Sequence, residues 1–197
     1  MSPFELVFAV FGLLLGLAVA EVLGGFSRAL KLKRGSRAVR IGWLTPLLGI
    51  FVMLDLTSFW LLAWEARDQI GANYATLVGV LAIVGIYYLA ATLIFPDDPE
   101  DWPDFDIWYD KQNRMVIGGL LSANVGGWIG QGFLDTFSPV AEVEYSDLSI
   151  AVTVIGGLTV LGLLIALLKV SNRRANVAML ATAIAVLLVV GIAEEWV

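Results

Sequence analysis

Six long apolar stretches account for most of this 197-residue chain. A segment needs about 20 largely apolar residues to cross the hydrocarbon core of a membrane as a helix. The stretches that meet this condition are residues 4–30, 41–64, 74–95, 115–137, 148–168 and 176–192. The segments between them are short, so residues 1–197 predict a single integral membrane domain. The predicted fold class is all-α, a polytopic membrane helix bundle with six transmembrane helices.

The composition agrees with a membrane protein and removes several kinds of chemistry. The chain is 59% hydrophobic and 15% charged, with a mean hydropathy of +0.84, whereas soluble domains are about 25% charged. It has no cysteine and no histidine, which excludes disulfides, histidine-ligated metals and Ser-His or Cys-His catalysis. We therefore expect no enzymatic activity, no cofactor and no bound metal. The net charge of −6, interpreted as coming mostly from one acidic loop, does not suggest a nucleic-acid partner.

The basic residues predict how the protein is oriented. Eleven of the twelve lysines and arginines lie in or beside the first, third and fifth loops, and only Arg67 lies on the other side. The positive-inside rule places those three loops in the cytoplasm. Both termini are then outside (N-out and C-out), and the expected location is the cell membrane, in a bacterium the inner membrane.

Two polar residues lie near the middle of predicted spans. Asp55 is in the second span, with no lysine or arginine at its depth, and Asn124 is at a similar depth in the fourth. A charge near the bilayer centre is unfavourable by several kcal/mol, so such residues are functional candidates. Burial without a cationic partner favours the neutral, protonated form of Asp55.

The polar residues of the second and fourth spans predict a cleft between these helices. Gln131 and Asp135 follow Asn124 at i+7 and i+11, on one helical face, and Ser58 lies one turn beyond Asp55. A cleft that is open to the exterior would give the polar residues of both spans a polar environment. In such a cleft, Asp55 is the expected proton- or cation-handling site. The alternative is that these side chains form interhelical hydrogen bonds that only stabilise the packing of the helices.

A second intramembrane acid, Glu21, lies in the first span, about 6 Å from its middle on the cytoplasmic side at 1.5 Å per residue. Arg28 is two turns away on the same face, and Arg40 precedes the second span. We predict an intramembrane ion pair between Glu21 and one of these arginines.

Small residues recur every four positions along the first span, at Gly12, Gly16, Ala20 and Gly24. Such a stripe allows another helix backbone to approach closely. Packing within the bundle is the first interpretation, and a homodimer face is the alternative.

The third loop contains the acidic stretch FPDDPEDWPDFDIWYDKQNR, residues 95–114. It lacks the central glycine and terminal glutamate of a calcium-binding loop, and its prolines oppose a regular helix in the first half. Because it shares a membrane side with the basic first loop, we predict a cytoplasmic charge clasp; a docking surface for a partner is the alternative. The acidic members of the clasp are Asp97, Asp98, Glu100, Asp101, Asp104, Asp106 and Asp110, and the basic members are Lys31, Lys33, Arg34 and Arg37.

Three stretches follow one another along the chain: GLLLGLAVAEVLGGFSRAL, LTSFWLLAW in the second span, and YLAATLIFPDD, which leads into this acidic loop. In this order they resemble a family of small bacterial multi-pass inner-membrane proteins of uncharacterised activity. The resemblance covers most of the chain and implies a six-span fold without a specific activity.

Two functional hypotheses follow from the sequence. One is a small transporter or channel component that uses Asp55 and the polar stripe of the fourth span. The other is a non-catalytic membrane scaffold or accessory subunit, whose polar residues hold helices together. The expected partners are the lipid bilayer and either further copies of the chain or another membrane subunit.

Overall fold

The computed structural model describes residues 3–33, 39–139 and 146–194. The helices are α1 (Pro3–Lys33), α2 (Leu44–Glu65), α3 (Tyr74–Thr92), α4 (Phe105–Phe137), α5 (Asp147–Lys169) and α6 (Arg173–Glu194). Short 3-10 turns follow α2 at Ala66–Asp68 and precede α4 at Pro99–Asp101. No strand occurs in the described ranges, so the predicted all-α fold is confirmed.

Five of the described helices, namely α1, α2, α3, α5 and α6, are long and apolar enough to cross a membrane. The protein is therefore a multi-pass membrane helix bundle. The helix α4, which contains the predicted fourth span, is not among the five. Its lower hydropathy has a physical cause, because it carries Asn124 and Gln131 within its apolar part and several charged residues in its first turns.

The start of α4 differs from the sequence prediction, which placed a loop as far as residue 114. The helix begins ten residues earlier, at Phe105, two residues after the last proline of the acidic stretch. Asp104 caps it, because its side chain accepts a hydrogen bond of 2.8 Å from the amide of Asp106. With 33 residues, α4 is about 50 Å long at 1.5 Å per residue. It thus exceeds a hydrocarbon core of about 30 Å.

The six helices form a closed ring in the order α1, α3, α4, α5, α6 and α2. The helices α2 and α4 also contact each other across this ring, which directs the polar faces of both into the bundle interior. We call the end of the bundle that carries Arg40, Asp104 and Arg173 the Arg40 end. The opposite end, which carries Glu65 and Asp135, is the Asp135 end.

The small-residue stripe of α1 is not its main packing face. Gly12 lies close to Trp60, with 3.5 Å between the indole and the position of an added Cβ. Gly16 and Ala20, however, are exposed on the outside of the bundle. The close approach of α1 to the end of α3 occurs instead at Gly25, where a Cβ would overlap the ring of Phe95.

Candidate functional site

The buried carboxyl group of Asp55 lies where α2, α3 and α4 meet. Its side chain is 2% exposed. The Asn124 side-chain nitrogen, Nδ2, lies 3.0 Å from Asp55 Oδ2 and 3.3 Å from Asp55 Oδ1. The same nitrogen lies 3.3 Å from the hydroxyl oxygen of Tyr87 and 3.0 Å from the carbonyl oxygen of Leu120. The two residues that the sequence placed at equal depth are therefore in direct contact.

The surroundings of Asn124 fix the direction of its amide. All four neighbours of Nδ2 are oxygen atoms, so its two protons are shared among them. The Tyr87 hydroxyl also lies beside the carboxyl group of Asp55. A buried carboxyl group needs hydrogen-bonding partners, and here they are an amide and a hydroxyl group rather than a cation.

A cavity of about 540 Å³ extends from Asp55 to the exposed residues Glu65 and Asp135 at the Asp135 end. Ten residues separate Asp55 from Glu65 along α2, so the cavity is about 15 Å deep. Its volume falls within the range of small-molecule sites, about 300–1,000 Å³. The polar side chains in its wall are Asp55, Ser58, Glu65, Tyr87, Asn124, Gln131, Asp135 and Thr153.

The wall of the cavity combines negative charge with apolar and aromatic surface. Its acidic residues are Asp55, Glu65 and Asp135, and no lysine or arginine lines it in the described part of the chain. The rings of Phe59 and Trp128 also line it, together with aliphatic side chains and glycines. This combination suits a small cation with an apolar body, since carboxylates and aromatic faces both attract cations.

Hydrogen bonds join three side chains at the mouth of the cavity. Gln131 and Gln69 donate to Asp135 Oδ1 over 2.9 Å and 3.0 Å, and Gln131 Nε2 also lies 3.4 Å from Gln69 Oε1. In the structure, Gln131 and Asp135 of the polar stripe therefore lie at the mouth of the cavity. Ser58 lies in the wall of the same cavity. Gln69 belongs to the connection between α2 and α3, and nothing in its sequence context indicated this contact.

Sequence reasoning missed several residues of the site. Tyr87 and Trp128 occupy positions that look like ordinary apolar packing in a span, and Thr153 is isolated. Their role depends on which helices pack against each other, and the helical periodicity of the sequence does not show this.

The acidity of the mouth was visible in the sequence, but it was misinterpreted. Half of the eighteen acidic residues belong in the sequence to the two termini and to the α2–α3 and α4–α5 connections with the adjoining helix ends, and Arg67 is the one basic residue in these segments. The described parts of these segments lie at the Asp135 end. The interpretation that one acidic loop dominates the net charge is therefore wrong, because the eleven other basic residues offset that loop.

The predicted ion pair of Glu21 is not formed. Arg40 pairs instead with Asp104, at 3.7 Å, and Glu21 takes part in no ion pair among the described residues. Arg28 lies against its own helix, with Nη1 3.5 Å from the Cβ position of Gly24. The reason is distance, because seven residues separate Glu21 and Arg28 by about 10 Å along the helix axis.

The acidic stretch does fold against the connection between α1 and α2. The amide of Arg40 donates to the carbonyl of Pro103, and the amide of Phe105 donates to the carbonyl of Arg40, each over 2.9 Å. Asp106 Oδ1 lies 3.4 Å from the amide of Leu44, at the start of α2. Gly42 permits this contact, since it has a φ of 65° and any Cβ would overlap the Asp106 carboxylate.

The partners within this contact differ from the predicted clasp. Asp110 pairs with Arg173 at the start of α6, at 2.6 Å. In the part of the chain that the structure describes, Asp97, Asp98, Asp101, Lys31 and Lys33 make no ion pair. Arg34, Arg37 and the side chain of Glu100 lie outside the described part. The acidic stretch therefore neutralises Arg40, Arg173 and the positive end of α2 rather than the lysines of α1.

No family model, no curated protein and no solved structure matches this chain. The resemblance to small bacterial multi-pass proteins therefore stays a prediction.

Proposed function

We propose that this chain is a small transporter or channel component that admits a small organic cation to Asp55 from outside the cell. In this proposal it has six spans, N-out and C-out, in the cell membrane. The observation that carries the proposal is the cavity of about 540 Å³ that begins at an acidic mouth and ends at a buried carboxyl group.

The packing of α4 supports its assignment as the sixth span. Leu93, next to the end of α3, accepts a hydrogen bond of 3.2 Å from the indole of Trp108 near the Arg40 end. Thr153, near the start of α5, lines the cavity with Asp135 at the other end. Because α4 connects these two positions, it runs from one end of the bundle to the other. Its low hydropathy is explained by polar residues that face the interior rather than lipid.

The distribution of charge supports both the orientation and the charge of the ligand. Eleven of the twelve basic residues belong in the sequence to the first, third and fifth connections or to residues beside them. The described parts of these connections lie at the Arg40 end, which is cytoplasmic by the positive-inside rule. The acidic Asp135 end is then outside, where its negative potential raises the local concentration of cations. A cation entering the cavity would meet Asp135 first, then the ring of Trp128, and finally Asp55.

The bundle is closed between Asp55 and the Arg40 end. Leu48, Phe51 and Val52 of α2 and Leu120 of α4 are each at most 2% exposed there. A cavity open on one side and closed by packed apolar side chains on the other suits one state of a transporter that exposes its site alternately.

The test is uptake into liposomes that contain the purified protein. Labelled tetraethylammonium is the probe cation, and a pH-sensitive dye inside the liposomes reports proton movement. We expect uptake or proton flux by the wild type and its loss in Asp55→Asn. Asp147→Asn is the control, because Asp147 is an exposed acid at the same end that does not line the cavity. No flux of either kind in the wild type, or equal flux in Asp55→Asn, would contradict the proposal.

A second candidate is a non-catalytic scaffold or accessory subunit. It is favoured by the outward position of Gly16 and Ala20, since a second copy or another membrane subunit could pack closely there. Gly16→Leu should then shift the solubilised protein from a complex to the monomer. A wild type that is monomeric and always purifies alone would argue against this candidate.

A further inference from the structure

The inward face of α4 is polar at both ends and apolar between them. Tyr109 and Asn113 lie on this face near the Arg40 end, and Asn124 lies on it at the bottom of the cavity. At 100° per residue these positions fall within an arc of about 60°. The buried side chains of Val116 and Leu120, both 0% exposed, separate the two polar parts.

The helix α6, which α5 separates from α4 in the ring, repeats this pattern. Leu187 lines the cavity, while Ala183 and Leu180, one and two turns nearer the Arg40 end, are buried. Asn176 follows one turn later on the same face and is 1% exposed. Both helices therefore present a polar residue beyond the apolar layer that closes the cavity.

Asn176 has an unusual environment for a buried amide. Neither its Nδ2 nor its Oδ1 has a hydrogen-bond partner among the described residues, and the same holds for the hydroxyl group of Tyr109. The three side chains are close, because the Tyr109 hydroxyl lies beside Asn113 and Asn176 without an aligned hydrogen bond. Burial raises the pKa of Tyr109 to about 12, so its hydroxyl group stays protonated.

Buried polar atoms without a protein partner are strongly unfavourable unless water satisfies them. The cluster offers uncharged donors and acceptors, two amides and a hydroxyl group, on elements that are separate in sequence. It carries no charge of its own, which suits water and uncharged hydrogen-bonding groups rather than a tightly held ion.

We infer that Tyr109, Asn113 and Asn176 form a second, water-binding site, which is the Arg40-end half of a path through the bundle. The apolar layer between this site and Asp55 is the closed gate; its members are Val116, Leu120, Leu164, Leu180 and Ala183. Eleven residues separate Asn113 from Asn124, so the two sites are about 16 Å apart along α4. The water site follows from the unpaired atoms alone, whereas its place on a path rests on the proposed function.

The water site can be tested independently of transport, because the chain has no native cysteine. Asn176→Cys and the control Leu180→Cys are exposed to a small charged methanethiosulfonate reagent from the Arg40 end. We expect Asn176→Cys to react about tenfold faster or more, since a dry core position reacts only after local opening. Equally slow reaction at both positions would overturn the water site. Asn113→Cys gives the same comparison if Asn176→Cys does not fold.

The place of the site on a path is tested with Asn176→Leu and Asn176→Ser. Leucine fills the site and removes its polar atoms, whereas serine keeps a hydroxyl group and leaves room for water. We expect Asn176→Leu to abolish tetraethylammonium uptake while binding of this cation at the Asp55 cavity stays unchanged, and Asn176→Ser to restore uptake. Unchanged uptake in Asn176→Leu, or equal loss in both variants, would overturn the path. If the wild type transports nothing, the proposed function fails, but the labelling result still decides the water site.

Discussion

The side-chain nitrogen of Asn124 lies 3.0 Å from Oδ2 of Asp55, although 69 residues separate them in the sequence. This contact joins α2 and α4 across the centre of the bundle and forms the closed end of the cavity. It makes the position of the Asp55 carboxyl group depend on a neutral amide rather than on a cation.

Exchanging the two side chains tests whether the pair acts as a unit. Asn124→Ala should lower the free energy of unfolding by about 0.6 kcal/mol, the average for hydrogen bonds between membrane helices, and by no more than about 1.7 kcal/mol, the largest such value. The exchange variant Asp55→Asn with Asn124→Asp keeps one carboxyl group and one amide at the same depth. We expect it to recover most of the stability and of the cation binding. Thermal unfolding in detergent and tetraethylammonium binding are the measurements, and a double variant no better than Asp55→Asn would contradict the pairing.

The contact of Gly42 with Asp106 predicts a large effect from a small substitution. Gly42→Ala places a Cβ at a positive φ, which is unfavourable by about 1–2 kcal/mol, and this atom would also overlap the Asp106 carboxylate. We expect destabilisation of at least that size.

Gly118→Ala in α4 is the matched control, because apart from its chain neighbours and the adjoining backbone of its own helix no described atom lies within 4 Å of its Cβ position. Alanine is a better helix former than glycine, so this variant should be neutral or stabilised by up to about 1 kcal/mol. Similar unfolding temperatures for the two alanine variants would contradict the account of this turn.

The approach of α1 to the end of α3 gives a third prediction. A Cβ at Gly25 would overlap the ring of Phe95, and overpacking of this kind is unfavourable by about 1–3 kcal/mol. Gly25→Ala should therefore destabilise the protein, and Phe95→Leu should relieve part of that loss in the double variant. Gly16→Ala, on the exposed side of the same helix, should have little effect on the unfolding temperature. An additive double variant would show that the two residues are not in contact.

The sequence allowed part of this site to be predicted, because helical periodicity determines which residues share a face. Asn124, Gln131 and Asp135 lie on one face of α4 whatever that helix packs against. Their proximity to Asp55 could be predicted as well, because α2 carries the other polar residues at the same depth. Tyr87 and Gln69 could not be found in this way, since their contacts depend on the ring order of the helices.

The acidic stretch shows a different limit of sequence reasoning. Its charges indicated a basic partner nearby, but electrostatic attraction alone does not select a particular basic residue. The lysines of α1 were therefore as plausible as Arg40 or Arg173. The choice is made by backbone geometry, through the turn at Gly42 and the pairing of Arg40 with Phe105. The early start of α4 was missed for a related reason, because Asp104 acts as a helix cap only where the prolines end.

The central claim is that the cavity connects Asp55 to the outside, and cysteine labelling tests it most directly. Asp55→Cys is treated in sealed vesicles with a membrane-impermeant methanethiosulfonate reagent added on the Asp135 side. Leu48→Cys is the control, because Leu48 is as buried as Asp55 but lies two turns nearer the Arg40 end and does not line the cavity. We predict that Asp55→Cys is labelled from this side and that Leu48→Cys is not. If Asp55→Cys is as unreactive as Leu48→Cys, the cavity does not reach the carboxyl group, and the account is contradicted.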